Sequence, residues 1–312
     1  MIDILIPTYN RENTILETIE SALNQQKVEI TIHVVDNNSG DSTIKLINET
    51  YGALILKKKL IVHEFNETVQ MYENWNRCLN YIKSKYFKLL FSDDILDPMF
   101  CFNCYNFMEN NPTLDLVATD LNYFKSTIND AFKVRKYNKH GIYYGRDIIF
   151  RSLISRNNIC APSNSLIKSS TVKGIKFKNN RVASDWIYFV EALTINNGTK
   201  NYGYIEKPLS YFRTVGDTET NNLKMSSKWV IQNFEARNNL ASNLNFLKRI
   251  VVKTVTSLYC TIVLCFIKRE SSDNYLEAKF FLEKNSSSFK LFYPLTSLIL
   301  KFKFVRKYFL SK

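Results

Sequence analysis

Two adjacent carboxylates, Asp93 and Asp94, follow the apolar run YFKLLF. Another acid, Asp36, closes the β-branched run EITIHVVD, and Tyr9 follows DILIPT. Adjacent carboxylates can hold Mg²⁺ or Mn²⁺, hard cations that prefer oxygen ligands and bridge phosphates. The plainer reading of the pair is a solvated turn that ends a strand. Asp36 could accept a hydrogen bond from a base or a ribose, or form an Asx turn within DNNSG. Tyr9 could stack on a base or pack in the core. Neither G-x-x-x-x-G-K-S/T nor G-x-G-x-x-G occurs, so phosphates would not be met by a glycine cradle. A cation held by carboxylates is then the obvious way to meet a diphosphate.

The elements that must position these residues alternate over the first ninety positions. DILIPTY reads as a strand. Glu12–Asn24 places Ile15, Ile19, Ala22 and Leu23 on one helical face. EITIHVVD is a second strand, followed by a short helix carrying Ile44 and Ile47. LIVHEF is a third strand. Thr68–Ser84 aligns Tyr72, Trp75, Leu79 and Ile82 on one stripe, and YFKLLF is a fourth strand. This βαβαβαβ order predicts an α/β fold with a mostly parallel sheet flanked by helices. Ligands of such sheets bind beyond the carboxyl ends of the strands, where Tyr9, Asp36 and the Asp93–Asp94 pair all fall. Farther on, LDLVATDLNYF reads as a strand, ASDWIYFVEAL as a helix capped by Ser184, and the chain from about Ser226 as a helical C-terminal region.

Three stretches, DILIPTYNRENTILETIESALNQ, HVVDNNSGDST and YENWNRCLNYIKSKYFKLLFSDDILDP, occur in this order and resemble the family 2 inverting glycosyltransferases of the GT-A fold. The resemblance covers Ile2 to Pro98 and continues more loosely to Arg213. It implies that Pro7, Thr8 and Tyr9 line a base pocket and that Asp36 binds the base, uracil. It implies Asp93 near the ribose and Asp94 as the ligand of a Mg²⁺ or Mn²⁺ on the diphosphate of a UDP-sugar donor. Ser92 stands where the first acid of the family's D-x-D motif is found, which leaves fewer carboxylates for the metal. The resemblance further implies Asp185 as the general base that activates an acceptor hydroxyl, and Arg213 approaching the diphosphate. Apart from the resemblance, Asp185 reads equally as a helix-start acid favoured by the macrodipole. The implied setting is bacterial surface-polysaccharide assembly, such as O-antigen or capsule, with a lipid-linked saccharide as acceptor.

Composition is globular, with 45% hydrophobic and 23% charged residues in 312. Residues 1–220 are expected to form the glycosyltransferase domain, 1–110 being its nucleotide half and 111–220 its acceptor half. Residues 221–312 form the basic helical region. The net charge of +13 is uneven: residues 248–312 carry 13 Lys and Arg against 4 Asp and Glu. The last segment, FKLFYPLTSLILKFKFVRKYFLSK, is basic and interleaved with apolar residues, as expected of a segment lying on the cytoplasmic face of the inner membrane. Ile250–Ile267 is marginal in length for a span and contains Lys253. No signal peptide is apparent, and the six Cys are scattered; Cys101 and Cys104 read as buried thiols rather than as half a metal site. His33 and His63 read as structural. Two other functions remain open from sequence. A nucleotidyltransferase would want a basic glycine-rich loop where PTYNRENT stands. A nucleic-acid binder would use the basic tail and bind less tightly as salt rises.

Overall fold

The structure, a computed structural model, describes residues 1–155, 157–180, 183–198, 200–214, 226–242, 244–267 and 272–299. The chain divides into two compact units. The first comprises 1–149, 157–179 and 184–216; the second comprises 150–156, 180–183 and 217–312.

The first unit is built on a mixed sheet ordered β3-β2-β1-β4-β9-β6-β10-β5. Its strands are β1 (Ile2–Thr8), β2 (Ile30–Asp36), β3 (Leu60–Glu64), β4 (Tyr86–Leu89), β5 (Ile95–Leu96), β6 (Leu114–Phe124), β9 (Ser165–Lys168) and β10 (Asn201–Arg213). Two short strands pair off this path, β7 (Lys133–Arg135) with β6 and β8 (Gly141–Tyr144) with β10. The helices are α1 (Ile15–Leu23), α2 (Thr43–Leu56), α3 (Met71–Leu79), α4 (Phe100–Asn110), α5 (Gly145–Ile154), which begins in this unit, and α6 (Ser184–Gly198).

The pairing directions decide what meets at the sheet's edge. β3, β2, β1 and β4 are mutually parallel. β9 runs antiparallel to both β4 and β6, so β6 points the same way as β4. β10 is parallel to β6. The carboxyl ends of β1, β2, β4, β6 and β10 therefore share one edge, so Arg213, the last residue of β10, comes to the edge where Asp93 and Asp94 follow β4.

Isoleucine alternation explains the core. Ile2, Ile4 and Ile6 share one face of β1 and join the cluster that holds Ile15, Ile19 and Ala22 of α1 with Ile32 and Val34 of β2, all fully buried. Each such side chain contributes roughly 1.5–3 kcal/mol relative to exposure. The opposite end of the sheet is tied by a buried acid: Asp3 accepts from the Lys83 and Ser84 amides at 2.6 and 2.7 Å and from the Ser84 hydroxyl at 2.8 Å. Gly203 of β10 lies so close to α4 and β6 that a Cβ there would sit 2.9 Å from Phe107, Leu114 and Val117.

Boundaries differ from expectation where side chains have other partners. α1 starts at Ile15 because the Thr14 hydroxyl bonds the Ser92 carbonyl instead of capping the helix. α3 is shorter than Thr68–Ser84 and leaves Ile82 outside; it starts after Gln70, whose amide donates to Glu73 Oε2 at 2.9 Å. Ser184 is the first residue of α6 and donates to the Lys178 carbonyl, so it does not cap the helix.

The second unit contains α7 (Ser227–Ala241), α8 (Phe246–Ile267), α9 (Ser272–Asn285) and α10 (Ser287–Ile299). Its core gathers Val230, Phe234, Cys260, Leu264, Tyr275, Ala278, Leu282 and Phe289. Among the described residues no helix is long and apolar enough to cross a membrane. Positions 215–225, and positions 300–312 of the basic tail, lie outside the described residues.

Candidate active site

The ends of β1 and β2 are laced together. Thr8 pairs with Asp36 in register, and the Asn37 amide donates to the Thr8 carbonyl at 2.9 Å. Beyond them two loops exchange bonds. The Asn10 amide reaches Ser39 Oγ (2.9 Å), the Gly40 amide reaches Asn10 Oδ1 (2.8 Å), and the Arg11 amide reaches Thr43 Oγ1 (2.8 Å). Asn10 and Asn38 hold left-handed backbone, φ 49° and 65°, which asparagine tolerates better than most residues. These crossed bonds fix the platform from which Tyr9 and Arg11 project.

Within this platform the expected residues separate. Tyr9 is 45% exposed, so its ring is free for stacking and is not a core aromatic. Pro7 and Thr8 are buried; the Thr8 hydroxyl bonds the Ile6 carbonyl and its own carbonyl is taken by Asn37. These two residues, expected to line a base pocket, lead into Tyr9 with their side chains buried. Asp36 is buried, and its two oxygens accept from the Ser39 amide (2.9 Å) and hydroxyl. The Asx-type turn is therefore real, yet each oxygen keeps a second lone pair for a ligand.

The acidic pair sits on a turn closed by the Asp94 amide on the Phe91 carbonyl, 3.0 Å. Below it, Ser163 receives the Phe91 amide on its hydroxyl (3.2 Å) and the Lys88 ammonium on its carbonyl (2.6 Å). The two acids are not equivalent. Asp94 is fully buried; Oδ1 accepts from the Arg213 amide at 3.2 Å, while Oδ2 makes no hydrogen bond of good geometry among the described residues. Burial, and then the charge of Asp93, push its carboxyl well above the usual carboxylate range. Asp93 is half-buried; burial raises it too, opposed by Arg11 and then Arg213. The accessible carboxylate is thus Asp93. Asp94, which the resemblance implies as the metal ligand, lies beneath it.

Arg213 also departs from expectation. Its Nε donates to the Asp93 carbonyl (3.0 Å) and Nη1 to the Ser126 carbonyl (2.9 Å). Its Nη2 pairs with Glu17, and its guanidinium stacks over Phe124 at 4.5 Å. With its donors engaged, it clamps the acidic turn rather than reaching toward a phosphate. The cation facing solvent is Arg11, exposed and the leading charge partner of Asp93. Sequence reasoning missed Arg11, although a basic residue two after Tyr9 was a visible signal. It also missed Lys88, a lysine in a strand whose every residue is buried. Its ammonium lies 3.9 Å from the centre of the Phe100 ring, and burial lowers its pKa to about 8.

Asp185 opens α6 half-buried, with Oδ1 accepting from the Trp186 amide at 2.8 Å. Burial raises its pKa, and the Arg135 guanidinium partly offsets this. Arg135 is itself placed by Asn157 and Tyr123 and stacks on Tyr137. The segment from Cys160 to Ser163 links the two acidic regions, because Cys160 interacts electrostatically with Asp185 and Ser163 underlies Asp94. A carboxylate whose pKa is raised by burial is a stronger base than an ordinary surface acid.

Whether the residues fit a divalent cation can be judged from the donors. Among the described residues no three His, Cys, Asp or Glu side chains converge. Asp93 and Asp94 are adjacent in the chain, and Asp94 Oδ2 is a buried acceptor without a hydrogen bond of good geometry among the described residues. One or two carboxylates completed by phosphate and water oxygens are enough for Mg²⁺ or Mn²⁺. Cys101 and Cys104 are fully buried, and burial raises both thiols, Cys101 to about 12; they are inert core residues. His33 and His63 stack with Tyr81 and bond each other at 3.0 Å, away from this chemistry.

The chain is similar to several known proteins. The chondroitin synthase of Pasteurella multocida is 30% identical over 119 residues, which are 38% of this chain and 12% of that protein. The poly(ribitol-phosphate) beta-N-acetylglucosaminyltransferase TarP of Staphylococcus aureus is 26% identical over 229 residues, 71% of this chain and 64% of its own. The chain thus spans less than two thirds of these relatives. Among solved structures, S. aureus TarS 1-349 in complex with UDP-GlcNAc superposes with a TM-score of 0.64 at 17% identity, covering 83% of this chain and 71% of that one. The mannosyltransferase PcManGT from Pyrobaculum calidifontis, in complex with GDP-Man and Mn²⁺, gives 0.57 at 14% identity over 98% and 82%. The central sheet with flanking helices and a helical C-terminal region is therefore a GT-A-like fold. The family model described as Glycosyl transferase family 2 matches residues 3–176, more than half of the chain and the whole acidic sheet edge; the chain belongs to that family.

Proposed function

We propose that this chain is an inverting glycosyltransferase that moves a sugar from a UDP-sugar to a hydroxyl of a saccharide acceptor. The observation that carries the reading is the single sheet edge on which the exposed Tyr9 ring, buried Asp36 and half-buried Asp93 meet, with Asp185 linked to it through residues 160–163. Tyr9 stacks on the base and Asp36 accepts from its N–H. Asp93 and Arg11 lie where ribose and diphosphate pass. Asp185 takes the proton of the acceptor hydroxyl as its oxygen forms a bond to the anomeric carbon. The bond from that carbon to the diphosphate oxygen breaks, and the electron pair leaves with UDP. A Mg²⁺ or Mn²⁺ held by Asp93, with Asp94 beside it, would neutralise the departing diphosphate.

N-acetylglucosamine is the first donor sugar to try, given the names of TarP and of the TarS complex; a hexose is the alternative, given the GDP-Man bound to PcManGT. The acceptor we favour is a lipid-linked saccharide in bacterial surface-polysaccharide assembly, on the cytoplasmic face of the plasma membrane, where the basic C-terminal region would be drawn to anionic lipid. Titration calorimetry with UDP and with GDP, each with Mn²⁺, tests the donor. UDP should bind and Asp36→Ala should weaken it. Preference for GDP would overturn the uracil assignment, and binding of neither would overturn the nucleotide site.

A further inference from the structure

The first four turns of α8 present an apolar face left exposed among the described residues. Phe246 is 72% exposed, Leu247 74%, Ile250 47%, Val251 43% and Leu258 38%. At 100° per residue these five fall within one 140° arc, while Val252, Thr256 and Cys260, fully buried, mark the opposite side. The helix is therefore apolar on two faces, and only one of them serves the core. Contiguous exposed apolar surface of this kind marks an interaction site.

Charge selects the occupant. From 236 to 269 the sequence has no Asp or Glu and six Lys or Arg. Lys248, Arg249 and Lys253 belong to the turns that carry the apolar face. Lys253 is exposed, Lys248 lies over the Phe150 ring at 5.1 Å, and Arg249 caps the preceding turn by donating to the Ser242 carbonyl at 2.8 Å. A second copy of this chain would bring the same cations against themselves. The chain's own last segment, basic and without acids from Phe289 to Lys312, has the wrong sign as well. A surface that is apolar and negative fits both features.

We infer that the N-terminal half of α8 is a membrane-docking face that lies in the interface of an anionic bilayer, its Phe and Leu inserted between acyl chains and its cations among the headgroups. This is a separate attachment from the basic C-terminal segment, and it requires no assumption about donor or acceptor.

The test is co-sedimentation of the full chain with vesicles of phosphatidylcholine alone or with one third phosphatidylglycerol. The full chain should sediment with the mixed vesicles and not with phosphatidylcholine alone. Phe246→Ser with Leu247→Ser, both at exposed positions, should lower the partition coefficient at least about tenfold, each lost insertion removing an apolar group from the bilayer. Lys253→Glu should lower it less, and only at low salt. A circular-dichroism melt within about 2 °C of wild type would show that the double variant is folded; if it is not, Leu247→Ser alone serves. Equal binding to both vesicle types, or an unchanged partition of the folded double variant, overturns the proposal. So does a concentration-dependent dimer that the double variant dissolves, since the face would then belong to a second copy.

Discussion

The donor edge and the acceptor side of this site are built to different standards of constraint. At the sheet edge the acids are held by several partners: Asp36 by Ser39 of the loop after β2, and the Asp93–Asp94 turn by Thr14, through the Ser92 carbonyl, and by Arg213 of β10. Asp185 has one backbone donor, the amide of the next residue, and a cation nearby. A donor with a fixed nucleotide can be met by a rigid edge. On the proposed reading Asp185 is the base, and burial raises its pKa.

The largest effect expected from this contrast is on turnover. Asp185→Asn should lower kcat by roughly a thousandfold, within the range of a lost general base, and leave donor affinity unchanged. Because burial raises its pKa, the acidic limb of the kcat–pH profile should lie above the ordinary aspartate value, with rate falling as the acid takes up its proton. A full-rate Asn variant would make Asp185 only a helix-start acid.

Lys88 probes the donor edge from beneath. Its pKa is lowered from 10.5 to about 8 in the fold, so the native state binds fewer protons than the unfolded chain between those values. The contribution of Lys88 to stability should rise as pH increases through that window, by about 3 kcal/mol at 1.36 kcal/mol per unit. Burial raises Cys101 and Cys104, whose contributions to stability fall over the same range, so thermal melts at pH 8 and pH 10.5 are read as a difference, and wild type should gain relative to Lys88→Met. Equal gains in both would place the titration elsewhere.

Next is packing. Gly203→Ala should cost about 1–3 kcal/mol in denaturant unfolding, because its methyl meets three core side chains at 2.9 Å. Smallest is Arg11→Ala, which should weaken donor binding about tenfold, the typical loss of one charged hydrogen bond, without moving stability. If Arg213→Ala weakened the donor while leaving the fold untouched, Arg213 and not Arg11 would be the phosphate cation.

Which of these features were legible in sequence follows from how far apart in the chain their parts lie. β1, β2 and β4 lead to Tyr9, Asp36 and Asp93 at one edge because strand–helix alternation forces those ends together, so the polar sheet edge was legible from periodicity, while the donor roles rest on the family resemblance. Solvent access could not be read in the same way. Asp93 and Asp94 are neighbours in sequence, yet one faces Arg11 and the other lies under the Arg213 backbone, which arrives from 119 residues away. The resemblance implied Arg213 near the diphosphate, while its partners Glu17, Ser126 and Phe124 were not legible in sequence. The exposed face of α8 was hidden for the opposite reason: a helix apolar on both sides gives no periodic signal of which side the core takes.

The central claim, that one sheet edge binds the nucleotide and a separate acid does the proton chemistry, is tested most directly by measuring UDP dissociation constants calorimetrically for wild type, Asp36→Ala and Asp185→Asn. The first variant should bind UDP at least about tenfold more weakly, as expected for loss of a hydrogen bond to a charged acceptor, and the second should match wild type. Wild-type affinity in Asp36→Ala, or loss of UDP binding in a folded Asp185→Asn, would contradict it.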